Sequence, residues 1–198
     1  MTIGTKDLVG VILAGGQSRR MGGGDKGLLR LGASTVIGHV IDRIVPQVGH
    51  MAINANGDPA RFLTYGLPIL PDGLPGFPGP LAGILAALDW ALSQGADWVV
   101  TVPSDTPFVP RDLVARLKAA QTASVVIAAT GDRIHPTCGL WSVTLRDDLA
   151  ATLGRGERKV RDFTDRYGAT IASFADDPPD PFFNINTPAD LARAQGWL

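Results

Sequence analysis

Only one cysteine, Cys138, and three histidines occur in the 198 residues. A lone cysteine cannot close an intrachain disulfide and fits a reducing compartment. Ligands this few and scattered give no zinc-type cluster. An excess of one charge is also missing: 18 basic against 19 acidic side chains leave a formal net charge of -1. That balance removes the global attraction on which a general nucleic-acid or membrane-surface binder relies, so neither is expected as a partner. No apolar run approaches the ~18 residues of a membrane span, and no long apolar segment follows Met1 as in a signal peptide. The expectation is a cytoplasmic protein. With 45% hydrophobic and 19% charged residues, the composition is that of a globular chain. Its length suits one domain burying roughly 70% of the unfolded surface. No repeat, low-complexity tract or linker divides it, so residues 1–198 are read as a single domain.

What is present is an alternation of strand-like and helix-like segments. Leu8 to Leu13 reads as a buried strand, and Thr35 to Val48 as a helix with Val36, Ile37, Val40, Ile41, Ile44 and Val48 on one face. Pro46 is positioned to end that helix. His50 to Asn54 is a second strand, Asp58 to Tyr65 a short helix capped by Asp58 with Pro59 first, and Pro68 to Leu70 a short strand. Leu81, Ile84, Leu85, Leu88 and Leu92 keep helical spacing up to Gly95. Asp97 to Val102 is a near-continuous apolar run, as in a strand covered on both faces. A helix over Arg111 to Ala120 follows, then strands Ser124 to Ala129 and Pro136 to Ser142 joined around Gly131-Asp132, a hairpin signal. Two helical stretches, a strand from Ala169 to Phe174 and a final helix from Pro188, capped by Thr187, complete the chain. The pattern predicts an α/β fold of three layers, α/β/α, with a mostly parallel sheet and at least one late antiparallel strand.

The richest segment is Val11-Ile-Leu-Ala-Gly-Gly-Gln-Ser-Arg-Arg-Met-Gly-Gly-Gly-Asp-Lys26. Glycines let backbone N–H groups cup an anion, and Arg19, Arg20 and Lys26 can neutralise it. Two common phosphate loops are excluded by spacing. Gly22, Gly24 and Gly27 match G-x-G-x-x-G but do not follow the strand directly, and Leu28 to Leu31 looks extended where a Rossmann loop opens a helix. The Walker A pattern fails because Gly27 follows Lys26 where a magnesium-binding Ser or Thr is required.

Later segments are ambiguous one at a time. Asn54-Ala-Asn56 and Pro71-Asp72 each follow a strand, where such residues commonly form turns. Asp105 in Pro103-Ser-Asp-Thr-Pro107 is either a turn former or a ligand-facing residue at the carboxyl edge of the sheet. In Asn184-Ile-Asn186-Thr-Pro188 the two asparagines fall on one side of an extended segment, although Thr187 alone could cap the helix. Arg155, Arg158, Lys159 and Arg161 form a basic cluster that is either solvated surface or a receiver of phosphate. Cys138 reads as a small core residue, and His135 is assigned no chemistry.

Taken in order along the chain, these motifs resemble those of the MobA-like nucleotidyltransferases, the molybdenum cofactor guanylyltransferases. The double glycine, Arg-Arg-Met-Gly and Asp25-Lys26 carry the likeness, joined by Pro78-Gly-Pro-Leu-Ala-Gly83, His135-Pro-Thr and Asn184-Ile-Asn186-Thr-Pro188. The resemblance implies a Rossmann-like nucleotidyltransferase fold, with nucleotide binding in about residues 1–107 and acceptor binding in about 108–198. It implies transfer of GMP from GTP to the terminal phosphate of molybdenum-bound molybdopterin, with release of pyrophosphate. Leu13, Ala14, Gly15 and Gly16 would then bind the nucleotide, and Arg20 and Lys26 its phosphates. Asn54 and Asp72 would read the nucleoside, Asp105 would hold Mg2+, and Asn184 and Asn186 would serve catalysis. Molybdoenzyme apoproteins and cofactor-insertion chaperones are the implied onward partners. A CTP-using sister enzyme, another phosphate acceptor such as a sugar phosphate, and a non-catalytic nucleotide-binding adaptor stay open at this point.

Overall fold

The structure, a computed structural model, describes residues 7–15, 25–73 and 79–198. Gly16, Arg19, Arg20 and Pro78 lie outside the described residues. Among the described residues, nine strands and six α-helices follow one another as β1 (Leu8–Leu13), β2 (Arg30–Leu31), β3 (Ser34–Thr35), α1 (Val36–Ile44), β4 (His50–Asn54), β5 (Ile69–Leu70), α2 (Pro80–Ser93), β6 (Trp98–Pro103), α3 (Leu113–Ala119), β7 (Val125–Thr130), β8 (Arg133–Ser142), α4 (Arg146–Gly154), α5 (Val160–Arg166), β9 (Thr170–Phe174) and α6 (Pro188–Gln195). Seven strands form one sheet in the order β5-β4-β1-β6-β8-β7-β9, and every pairing is parallel except the two made by β8. The expected three layers and late antiparallel strand are both present.

β1 carries the reason for the layering. Leu8 and Ile12 face a core shared with Ile37, Val40 and Leu113, while Val9 and Val11 face a second core with Ile84, Leu88 and Leu149. Alternation along a strand sends successive side chains to opposite faces, so an unbroken apolar run must be covered on both. α1 and α3 cover one face; α2, α4 and α5 cover the other. α2 is apolar almost all round because it is wedged between the sheet and α4: every residue from Leu81 to Leu88 is buried, and only its two ends reach solvent, at Pro80 and at Leu92 and Ser93.

Register places the chemistry. Leu13 pairs with Asn54 on one side and Pro103 on the other, and Asn54 pairs with Leu70. Four parallel strands therefore end in one row, and the residues just beyond each of them gather at a single edge.

Several local expectations change. α1 ends at Ile44, with Pro46 inside a 3-10 turn, Val45–Gln47, because proline cannot donate to the preceding helical turn. Pro59–Tyr65 is 3-10 rather than α-helical, though Asp58 caps it as expected, its carboxylate accepting from Ala60 N–H at 2.9 Å. The helix expected from Arg111 begins at Leu113. β8 starts at Arg133, three residues before the expected Pro136, and carries a bulge: Gly139 pairs with Ile127 and His135 with Ala128, so Pro136, Thr137 and Cys138 have no counterparts on β7. Proline inside a strand is tolerated at such a bulge.

Candidate active site

The row of strand ends opens into a cavity of about 330 Å3. Leu13, Ala14 and Gly15 line it from the end of β1, Asn54 from β4, Asp72 from beyond β5, and Pro103, Ser104 and Asp105 from β6. Gly79, Pro80 and Gly83 close it at the start of α2, and Thr137 enters from the β8 bulge. Asp25, Lys26 and Gly27 border it from the far end of the glycine loop, and Asn184 from the segment before α6. Of the expected site residues in the described regions, only Asn186 does not line the cavity, and it touches one that does.

One end is a carboxylate held by amides. Asn54 is buried, 2% exposed, and its Nδ2 donates to Asp72 Oδ1 at 2.9 Å and to the Leu70 carbonyl at 3.0 Å. Asn56 Nδ2 donates to Asp72 Oδ2 at 2.6 Å, while Asn56 Oδ1 accepts from the Asp72 N–H at 2.9 Å. Both carboxylate oxygens are thus fixed, and each keeps a second lone-pair direction for a ligand donor. The amide donors of Asn54 are used within the protein, where they orient Asp72. Asn56 belongs to the Asn54-Ala-Asn56 motif, and its spacing of two from Asn54 is the sequence signal for its part in the clamp. A Cβ on Gly83 would stand 2.4 Å from Asn54 Oδ1, which explains glycine in the first turn of α2.

The other end gathers opposite charges. Lys26 Nζ donates to Asn186 Oδ1 at 2.8 Å, and Asn184 Nδ2 donates to Asp105 Oδ1 at 3.0 Å. Ile185 lies between them, buried among Leu31, Val36 and Phe108, with its N–H bonded to the Asp105 carbonyl at 2.9 Å. Capping of α6 is carried by Thr187 and Asp190 in a reciprocal box, so neither asparagine side chain is needed there. Burial pushes the Asp105 carboxyl above its ordinary range, with the Lys26 charge and the Asn184 hydrogen bond working the other way. Among the described residues no group of three or more His, Cys, Asp or Glu side chains could hold a metal. The hard carboxylate oxygens of Asp105 fit Mg2+ as one protein ligand among substrate oxygens and water.

Two other sequence features settle differently. Cys138 is buried, and burial, reinforced by the Asp105 charge, pushes its thiol up, which makes it inert as a nucleophile. His135 lies outside the cavity lining, stacked on Phe182 with ring centroids 4.4 Å apart and Nε2 at 2.9 Å from Thr130 Oγ1. In the basic cluster, Arg155 pairs with Glu157 at 2.9 Å, and Glu157 also pairs with Arg166. None of Arg155, Arg158, Lys159 or Arg161 lines the cavity as described.

Comparison with known proteins gives the same outline. Residues 10–171 match the model of the MobA-like NTP transferase domain. A molybdenum cofactor guanylyltransferase of Cereibacter sphaeroides is 52% identical over 191 residues, covering 96% of this chain and 97% of the relative. The crystal structure of molybdopterin-guanine dinucleotide biosynthesis protein A from Archaeoglobus fulgidus superposes with a TM-score of 0.74 at 26% identity, over 96% of this chain and 97% of the other. A Mycobacterium tuberculosis protein solved as a complex with manganese shares the fold, with a TM-score of 0.68 at 17% identity and coverage of 97% and 100%.

Proposed function

The chain belongs to the MobA-like NTP transferase family, and from that premise we propose that it transfers GMP from GTP to the terminal phosphate of molybdenum-bound molybdopterin. An oxygen of the acceptor phosphate attacks the α-phosphorus of GTP, the bond from that phosphorus to the bridging α–β oxygen breaks, and pyrophosphate leaves. The acceptor phosphate is already anionic at neutral pH, so no strong general base is needed and catalysis is alignment plus charge neutralisation. The observation that carries this reading is the pairing of Asp105 with Asn184 and of Lys26 with Asn186 at one end of the cavity, opposite the amide-held Asp72.

Asp72 accepts the guanine N1–H and amino protons through its remaining lone pairs. The Leu13 to Gly16 backbone meets the nucleotide, and Lys26 and Arg20 neutralise its phosphates. Asn184 and Asn186 hold Asp105 and Lys26 in place without adding negative charge. Asp105 would hold Mg2+, whose role when bound is to offset the triphosphate charge. Manganese in the mycobacterial neighbour supports a divalent ion of this kind. In this reading the first 107 residues serve the nucleotide. The rest serves the acceptor, with the basic cluster around Arg158 and Lys159 as the receiver of its terminal phosphate. The reaction belongs to the cytoplasm, where molybdoenzyme apoproteins and insertion chaperones receive the product.

The base is tested by competition. Magnesium-dependent GTP binding that excess CTP does not displace is the expected result. Tight CTP binding without GTP binding would make the chain a cytidylyltransferase. GTP binding with no pyrophosphate released on addition of cofactor would make it an adaptor.

A further inference from the structure

The two ends of the cavity are joined by a side chain that the sequence motifs do not include. Arg61 lies in the 3-10 turn after β4. One arm of its guanidinium pairs with the Asp25 carboxylate, the other donates to the Asn56 carbonyl at 2.5 Å, and Nε donates to the Asp58 carbonyl at 2.9 Å. Asp25 directly precedes Lys26, and its own carbonyl accepts from Leu28 N–H at 3.0 Å, closing the turn that presents Lys26. Asn56 is the residue whose amide clamps Asp72. One rigid fork therefore ties the anchor of the carboxylate end to the anchor of the lysine end, across 36 residues of chain.

An ordinary surface ion pair would leave both partners wet and contribute little. Here the Asp25 side chain is only 13% exposed and borders the cavity, while Arg61 is 35% exposed. Phe62, fully buried and also lining the cavity, pins the turn from below, and the Arg61 guanidinium lies 5.2 Å from its ring. A planar, five-donor group is suited to a junction of this kind, whereas a lysine ammonium is a single point.

We propose that Arg61 is a positioning residue that sets the span between Asp72 and Lys26, so that a nucleotide gripped at its base has its α-phosphate correctly placed. The inference rests on the nucleotidyl-transfer reading above. In the full-length protein, with GTP, Mg2+ and molybdopterin cofactor, Arg61→Met lowers kcat/KM about ten- to a hundredfold, the scale at which small misplacement of reacting groups acts. The loss falls chiefly in kcat, because the base end still holds the nucleotide. Arg61→Lys recovers part of it, Asp25→Asn shows a loss like that of Arg61→Met, and the double variant is no worse than the poorer single one. Losses that multiply, a loss confined to KM, or an Arg61→Met enzyme within twofold of wild type overturn the proposal. Calorimetric titration with GTP alone separates the two levels: wild type that binds no GTP sinks the nucleotide reading along with this one. Wild type that binds while the variants turn over normally sinks only the role of Arg61.

Discussion

At the residue scale, the site separates groups that meet the ligand from groups that hold them. Asn54, Asn56, Asn184 and Asn186 all present neutral amides to charged partners, which fixes Asp72, Asp105 and Lys26 without altering the charge available to substrate. His135 belongs to neither group. Burial, followed by the Arg133 charge, pushes its imidazole down to about 4, against opposing pulls from Asp180 and Asp176. The folded protein thus keeps His135 neutral where an unfolded chain would protonate it, near pH 6.5. Its contribution to stability is complete above that value and is lost as pH falls through the window down to about 4. Thermal melts across that window should fall more steeply for wild type than for His135→Gln. Parallel slopes would mean that the imidazole is not held neutral.

At the scale of elements, β1 and β6 were legible because a buried parallel strand is a nearly unbroken apolar run, and the final helix because Thr187-Pro188 marks its start. The start of α2 was visible only as a motif. Its physical meaning emerges from the packing, where Asn54 Oδ1 fills the space a side chain at Gly83 would need. Gly83→Ala should therefore tilt α2 or displace Asn54, weakening GTP binding about tenfold and lowering Tm by a few degrees, both measurable on the purified protein. Retained affinity would show that the Asn54–Asp72 contact is not needed. The β8 bulge was not legible, because register slips depend on pairing with a distant strand, and Thr137, present in the sequence only as part of His135-Pro-Thr with no role of its own, reaches the cavity through it. Arg61 was missed for a similar reason: no local pattern marks an arginine whose partner stands 36 residues away.

For the whole molecule, the strand order β5-β4-β1-β6 converts scattered motifs into one edge, since Leu13, Asn54, Leu70 and Pro103 stand in register. The alternation of elements announced an α/β sheet, but strand order was not written in it, so Asp105 could be placed beside the glycine loop only on condition that β1 and β6 were neighbours. They are. The central claim is that this edge is a GTP site built for transfer, and the most direct test is pyrophosphate release from GTP with Mg2+ and molybdenum-bound molybdopterin, comparing wild type with Lys26→Ala. The account predicts one pyrophosphate per guanylylated cofactor for wild type and a loss of about a hundredfold or more for the variant. Turnover of Lys26→Ala within a few-fold of wild type would contradict it.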